Sequence, residues 1–233
     1  MRFSVIIPTL NEAPRIAGLI ERVRVDDPDC EVIVVDGGSA DDTAALAAAS
    51  GARVLQAPRG RGSQLAHGAA AARGDTLVLL HADTRWPEGA FAALRRETED
   101  PETIGGNFRL VFDGGTRFAE WLTGFYAWFR GHGLYYGDSV IFIRRDMYRE
   151  LGGIRPMPVM EDFDLRLRME RHGGTVCVEE PPVVTSSRRF KDRHPVAIFM
   201  HWLLVHGLYY AGMSNGRLIA WVYDSERRRT ADG

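Results

Sequence analysis

Short apolar runs alternate with segments of helical spacing through the first 80 residues of the chain. The first helical segment, for which Asn11 is a candidate N-cap, places Ile16, Leu19, Ile20 and Val23 on one face. Two alanine-rich helices are predicted at about residues 41–50 and 65–73. Strands are predicted at residues 3–7, 31–35, 52–55 and 76–80. Strands that alternate with helices predict right-handed crossovers, and therefore an α/β fold with a mostly parallel central sheet flanked by helices.

The second half of the chain has a different pattern. Strands are predicted at residues 105–112 and 137–143. Between them, an aromatic stripe has helical spacing, which favours core packing over a lip on an acceptor site or a membrane contact. The stripe consists of Phe118, Trp121, Leu122, Phe125 and Phe129. Residues 160–172 alternate between apolar and charged, but acids crowd the start and bases the end, which complements a helix dipole and predicts a helix.

The segment from Val196 to Met213 is uncharged over eighteen residues, the lower limit for a membrane span. It contains histidines and glycines, so a helix that is buried or lies at a membrane surface is favoured over a spanning one. Arginines 188, 189, 193 and 227–229 flank it and would attract anionic lipid. We expect residues 1–190 to form the α/β domain and residues 191–233 a helical extension that contacts a membrane or a partner.

Composition narrows the class of protein. A net charge of −2 over 233 residues gives no reason to expect nucleic-acid binding. Cys30 and Cys177 are too few for a disulfide framework or a zinc site, which fits a reducing compartment. The amino terminus enters a strand without a signal-peptide pattern. We therefore expect a cytoplasmic protein, free or peripheral at the inner face of the membrane, whose oligomeric state is open.

Polar side chains follow three of the predicted strands. Thr9, Asn11 and Glu12 follow the first strand; Asp36 and Ser39 follow the second; His81 and Asp83 follow the fourth. Carboxyl ends of parallel strands meet at one edge of a sheet, where open α/β sheets bind nucleotides. The sequence therefore predicts a nucleotide site at this edge.

Two features of this edge suit a diphosphate. Asp83 could hold a divalent cation through hard oxygen ligation, although a turn or helix-cap aspartate is the commoner use of such a residue. The segment from Arg59 to Gln64 could offer backbone N–H groups and guanidinium charge, and the alternative is a plain turn with exposed arginines.

The order of these motifs resembles the family-2 glycosyltransferases, which have the GT-A fold and use nucleoside-diphosphate sugars. The matching segments, in order, are residues 4–12, residues 34–43, His81-Ala82-Asp83, Gly152-Gly153 and Met160-Glu161-Asp162. The match covers about residues 3–175 and looks most like a bacterial branch with His-Ala-Asp in place of Asp-x-Asp. The resemblance implies Mn²⁺ or Mg²⁺ as cofactor. An imidazole at position 81 would favour Mn²⁺ if it entered the coordination shell.

The resemblance also implies roles for individual residues. Asp83 would ligate the metal. Asp162, which we expect to be exposed at the start of a helix, would deprotonate the acceptor hydroxyl in an inverting displacement, with Glu161 as second choice. The acceptor would be faced by Gly137, Asp138, Glu161 and Asp162, and Arg188 and Arg189 could clamp the diphosphate. The predicted donor-binding residues are Pro8, Thr9, Asn11, Glu12, Asp36, Gly37, Ser39, Arg61, Gln64, His81, Ala82 and Asp83. The sugar, the base and the acceptor stay open, with a lipid-linked acceptor as one hypothesis.

Two other functions compete with this interpretation. A sugar-1-phosphate nucleotidyltransferase would show a glycine- and lysine-rich loop after the first strand, where Pro8 to Glu12 has neither residue. A nucleotide-sugar-binding protein that has lost catalysis is suggested by His81. The sequence contains no Gly-x-Ser-x-Gly elbow, which argues against a serine nucleophile. Its histidines do not have the spacing of zinc ligands, which argues against a histidine-based metal site.

Overall fold

A computed structural model describes residues 1–155, 157, 159–186 and 195–212. The strands of this part of the chain are β1 (Phe3–Thr9), β2 (Glu31–Asp36), β3 (Arg53–Gln56), β4 (Thr76–Leu79), β5 (Thr84–Arg85), β6 (Gly105–Phe112), β7 (Ile141–Arg144) and β8 (Thr175–Thr185). Its helices are α1 (Ala13–Asp26), α2 (Thr43–Ala49), α3 (Arg61–Ala71), α4 (Ala90–Glu97), α5 (Arg117–Gly131), α6 (Arg145–Glu150), α7 (Glu161–His172) and α8 (Pro195–Tyr210).

The described strands form one eight-stranded sheet in the order β3-β2-β1-β4-β7-β6-β8-β5. β3, β2, β1 and β4 are parallel neighbours, as the alternating pattern predicts. β7 then runs antiparallel to both β4 and β6, so the second half makes the sheet mixed. In the register of β1 with β2, Thr9 pairs with Asp36, so the carboxyl ends of these strands lie side by side.

Apolar residues on the two faces of the sheet pack against separate helix layers. Val5 and Ile7 of β1 face the core that contains α1, whereas Ile6 faces α3. α3 lies close to the sheet because residue 68 is glycine: a Cβ there would fall 2.3 Å from Cγ2 of Ile6. This close approach carries the amino terminus of α3 to the carboxyl edge of the sheet.

Several local predictions are wrong. Asn11 does not cap α1; the cap position is Glu12, without a side-chain cap bond, and Asn11 has a φ of +56°. Residues 61–64 are the first turn of α3, not a loop. Gly137–Ser139 is a 3-10 turn rather than the start of a strand, since β7 begins only at Ile141. Three elements of the structure, α4, α6 and β8, were not predicted from the sequence.

The aromatic stripe on α5 divides between core and surface. Leu122 is fully buried, as predicted, but Trp121 is 39% exposed. α8 lies against α5 and α7: Phe199 contacts Phe125 with ring centroids 6.3 Å apart, and the Tyr209 hydroxyl donates to Oδ1 of Asp164 at 3.0 Å. Within the described residues, none of the helices has the length and apolar character needed to span a bilayer. The proposed domain boundary near residue 190 lies outside the described residues.

Candidate functional site

The loop after β2 is built around the carboxylate of Asp36. This side chain is 2% exposed, and its Oδ2 accepts the backbone N–H groups of Gly38 and Ser39 at 3.0 Å each. The Ser39 hydroxyl donates to Oδ1. Burial acts to raise the pKa of Asp36, but these donors outweigh it and hold the pKa below its ordinary value. The buried carboxylate of Asp36 thus holds the backbone of the loop after β2, which contains the predicted donor-binding residues Gly37 and Ser39.

The loop after β1 is fastened to the same structure. The Asn11 backbone N–H donates to Oγ of Ser39 at 2.9 Å, and its side-chain Oδ1 accepts from the Ala40 N–H at 2.8 Å. The Glu12 N–H donates to Oγ1 of Thr43 at 2.8 Å. The predicted neighbours Asn11, Ser39 and Glu12 therefore do lie together at one edge of the sheet.

Gln64 has a structural role that the sequence did not indicate. Its Nε2 donates to the carbonyl oxygens of Thr9 at 2.8 Å and Val35 at 2.7 Å, and the side chain is 4% exposed. It packs against Gly37, where a Cβ would fall 3.1 Å from the amide. Gln64 therefore ties α3 to the ends of β1 and β2, and its amide is engaged there rather than presented to a ligand. Pro8 and Thr9 contribute backbone at this edge; Pro8 is half-buried opposite Val35.

A buried acid pair stands opposite these loops. Glu161 and Asp162, at the start of α7, are only 1% and 5% exposed, which contradicts the expectation of an exposed Asp162. Arg61, from the first turn of α3, pairs with Oε1 of Glu161 and places its Nη2 3.4 Å from Oδ1 of Asp162. Gly62 allows the two helix starts to meet, because a Cβ there would lie 3.2 Å from Cγ of Glu161.

The two acids differ in electrostatic environment. Burial is the largest influence on Glu161, and with the charge of Asp162 it raises the pKa of Glu161 despite Arg61. Burial also acts to raise the pKa of Asp162, but Arg61, the Gly137 N–H and His81 outweigh it and lower that pKa. Of the two acids, Asp162 is therefore the one whose ionised form its surroundings favour more strongly.

Gly137 lies between His81, which follows β4, and the acid pair. Its N–H donates to Oδ2 of Asp162 at 2.8 Å. A Cβ on Gly137 would lie 2.8 Å from Nε2 of His81 and 2.9 Å from Oδ2 of Asp162, so these two atoms are less than about 6 Å apart. His81 and Asp162 are thus close neighbours across a glycine.

Asp83 lies two residues beyond His81, in the turn after β4. Its side chain is exposed, and within the described residues no hydrogen bond or ion pair engages its carboxylate, whereas Ala82 is buried. Those residues hold no group of three or more His, Cys, Asp and Glu side chains suited to a metal. A single carboxylate with ligands completed by a diphosphate is how Mg²⁺ is commonly held, so Asp83 fits a cation that arrives with a donor.

The remaining predicted residues are less central. Asp138 is half-buried within the turn beside Gly137. Arg188 and Arg189, the predicted clamp, lie outside the described residues. Sequence reasoning missed Asn107 and Ser139, whose side chains are hydrogen-bonded at 3.1 Å and fix this turn to β6. Asn107 stood in a segment assigned only as a strand, and no motif marked it.

Comparisons with known proteins bear on the family and the fold. The model of the family described as "Glycosyl transferase family 2" matches residues 4–151, more than half of the chain. Glucosyl-3-phosphoglycerate synthase of Mycobacterium tuberculosis is 37% identical over 99 residues, which cover 38% of this chain. That match spans only 31% of the length of the synthase.

Solved structures show the same fold. The mannosyltransferase PcManGT of Pyrobaculum calidifontis, solved with GDP-Man and Mn²⁺, has a TM-score of 0.63 at 20% identity, over 97% of this chain and 70% of that one. TarS 1-349 of S. aureus, solved with UDP-GlcNAc, has a TM-score of 0.65 at 14% identity, over 80% of this chain and 59% of that one. The predicted GT-A fold is confirmed; the narrower His-Ala-Asp branch stays a prediction.

The Arg61 bridge predicts a pH-dependent loss of stability. We expect Arg61→Gln to lower the free energy of unfolding by about 3 kcal/mol near neutral pH, because two buried carboxylates lose their counter-charge. In the variant the folded-state pKa of at least one carboxyl rises above its unfolded value. The folded state then binds more protons than the unfolded state, and the deficit shrinks on acidification to about pH 5. Urea unfolding at both pH values measures this.

Arg15→Gln is the matched control for that experiment. Arg15 forms a 2.9 Å ion pair with Glu12 on α1, and its side chain is 39% exposed. Loss of such a surface pair is expected to cost less than about 0.5 kcal/mol. An Arg61→Gln protein as stable as this control, or a deficit that grows on acidification, would contradict the description of the buried acid pair.

Proposed function

The chain belongs to glycosyl transferase family 2, and from that premise we propose that it transfers a sugar from a nucleoside-diphosphate sugar to an acceptor hydroxyl. The observation that carries the proposal is the meeting of His81 and Asp162 across Gly137. It joins the strand end that bears Asp83 to a buried, ionised carboxylate. A cation site for a leaving diphosphate and a base for an incoming hydroxyl are thereby brought to one edge of the sheet.

The proposed reaction is a single displacement at the anomeric carbon. The acceptor oxygen forms a bond to that carbon while the bond to the diphosphate oxygen breaks, and the diphosphate leaves with the electron pair. The acceptor proton passes to the Asp162 carboxylate, and the anomeric centre is inverted. The Gly137 N–H holds Oδ2 of Asp162 in place and fixes the direction of proton transfer.

Donor binding would use the edge formed by the ends of β1, β2 and β4. The loops after β1 and β2, fastened together by Asp36 and Asn11, would receive the nucleoside. Asp83 would hold Mn²⁺ or Mg²⁺, which when bound supplies positive charge to the departing diphosphate. Arg61 already carries a guanidinium beside the acid pair. We propose that it shares that charge with the diphosphate in the donor complex, which would release Asp162 to act as base.

Removal of the base should stop turnover without removing the donor. We expect Asp162→Asn to lower the rate by at least ~100-fold, the usual scale of a general-base contribution. The measurement is nucleoside-diphosphate release from a panel of UDP- and GDP-sugars with Mn²⁺. Donor affinity, measured by calorimetry on the same variant, should stay within about threefold.

Glu161→Gln is the control that separates the two acids, because glutamine can still accept a hydrogen bond from Arg61. It should retain most of the activity. If Glu161→Gln loses activity and Asp162→Asn does not, Glu161 is the base. Donor binding without turnover by the wild-type protein, with every sugar and a broad acceptor panel, would instead favour a catalytically inactive binding protein.

We further propose that the protein contacts a membrane peripherally and that its acceptor is lipid-linked. Support comes from an apolar surface, here called the α5–α8 patch, which continues from one helix to the other through the contact of Phe125 with Phe199. Its exposed side chains are Trp121, Trp128, Phe199, Met200, Leu203, Leu204 and Tyr210, each between 39% and 63% exposed. α8 contains no Asp, Glu, Lys or Arg, and the large side chains exposed on its described part are mostly apolar.

Charge distribution favours an anionic bilayer as the partner of the patch. Residues 187–233 carry eight Arg or Lys and four Asp or Glu, a net charge of +4. The whole chain carries −2, so residues 1–186 carry −6. An apolar helix flanked in sequence by basic residues is typical of proteins that lie on anionic lipid.

Flotation with lipid vesicles tests this contact. The wild-type protein should float with phosphatidylglycerol vesicles and much less with phosphatidylcholine vesicles, because surface charge contributes to binding. A Phe199→Gln, Leu203→Gln double variant should float at least about fivefold less, since apolar burial is lost. Val25→Gln is the matched control, because Val25 is 76% exposed on α1, outside the patch. Equal flotation of both variants, or a patch variant that changes only the oligomeric state, would contradict membrane contact.

A further inference from the structure

A pocket lies beside the turn that holds Asp162. It has a volume of about 330 Å³ and is bounded by α5, β6, β8 and the turn Gly137–Ser139. Its polar lining includes Asn107, Arg109, Arg130, Ser139 and Cys177. None of these side chains belongs to the donor-binding edge described above.

Arg130 supplies a positive charge to this pocket. Its Nε donates to Oδ1 of Asn107 at 2.6 Å, and its guanidinium carbon stands 4.8 Å from the ring centre of Tyr135. Within the described residues, no carboxylate lies at ion-pair distance from Arg130. The other arginine of the lining, Arg109, is paired with Glu180.

The acidic side chains nearest to this pocket interact with groups other than Arg130. Glu179, also in the lining, has an oxygen 3.8 Å from Nε of Arg109, and Glu170 of α7 accepts from the Thr175 hydroxyl at 2.8 Å. Burial raises the pKa of the Cys177 thiol to about 11, so this group is neutral at ordinary pH. A half-buried guanidinium without a carboxylate partner is suited to an anionic ligand, because charge-assisted hydrogen bonds are strong where water is partly excluded.

A chain of hydrogen bonds links this arginine to the proposed base. Arg130 holds Asn107, whose Nδ2 donates to Oγ of Ser139 at 3.1 Å. The Ser139 hydroxyl donates to the carbonyl oxygen of Tyr136 at 2.6 Å. The next residue, Gly137, donates its N–H to Asp162. A ligand on Arg130 would therefore sit at a fixed place relative to the carboxylate that takes the acceptor proton.

We infer that this pocket binds an anionic group, a phosphate or a carboxylate, of the acceptor substrate, with Arg130 as the residue that binds it. The inference rests on the proposed function, since it names the chemical class of the acceptor for that same site. Arg130 pairs with the anion, and the neighbouring hydroxyl group of the acceptor is left toward Asp162. The anion can belong to the headgroup of a lipid-linked acceptor, as proposed above, or to a small soluble metabolite, which would overturn only the lipid-linked part of that proposal.

Anion titrations of the full-length protein test the inference. The protein is first saturated with Mn²⁺ and the nucleoside diphosphate that stabilises it most, so that the donor site is filled. Orthophosphate and 3-phosphoglycerate are then titrated by calorimetry, and phosphatidic acid vesicles by flotation. We expect Arg130→Gln to weaken anion binding at least tenfold and Arg130→Lys to weaken it less. Arg109→Gln, the matched control in the same lining, should change it less than threefold.

The outcomes distinguish a soluble anion from a lipid headgroup. They also distinguish failure of the anion pocket from failure of the proposed transferase activity. Loss of orthophosphate or 3-phosphoglycerate binding in Arg130→Gln indicates a soluble acceptor, and loss confined to the vesicles indicates a lipid headgroup. Equal binding by Arg130→Gln and wild type, a loss that follows Arg109 instead, or no anion binding by any form overturns the inference. Nucleotide binding in the first step is read separately, so its absence counts against the transferase and not against the anion pocket.

Discussion

The bridge from Arg61 to Glu161 and Asp162 is the interaction on which the rest of the site depends. It joins the first turns of α3 and α7, two elements 100 residues apart in sequence. Two adjacent carboxylates at 1% and 5% exposure would not stay together without a cation, because burial and mutual repulsion both disfavour their ionised forms. The bridge therefore fixes the position of Asp162 and also sets its charge.

Around this bridge, many of the polar side chains at the strand ends hold the backbone in place. Asp36 binds the N–H groups of its own loop, and Gln64 binds the carbonyls that end β1 and β2. Because these hydrogen bonds already give the loops a defined shape, the loops need little reorganisation when a ligand binds. Asp83 differs, since its carboxylate is exposed in the turn after β4. A rigid edge with one open carboxylate is what a site for a cation and a diphosphate requires.

The sequence predicted those parts of this arrangement that depend on local pattern. Apolar runs located β1 to β4, and the polar residues after them were correctly placed on one edge, because strand ends and their register follow from periodicity. β8 was missed, since its Pro181 and Pro182 argue against a strand. The burial of Asp162 was also missed: first-turn acids are usually solvated, and only the distant Arg61 reverses that. Gln64 was assigned to the ligand for the same reason, because its partners lie on other strands.

The central claim is that a nucleoside diphosphate and a divalent cation bind at this edge through Asp83. Thermal unfolding with a panel of nucleoside diphosphates, with and without Mn²⁺, tests it most directly. We expect one nucleotide at a hundred times its dissociation constant to stabilise the protein by ~2.7 kcal/mol. We also expect the part of this effect that requires Mn²⁺ to be lost in Asp83→Asn. Stabilisation that is the same in Asp83→Asn, or no stabilisation by any nucleotide, would contradict it.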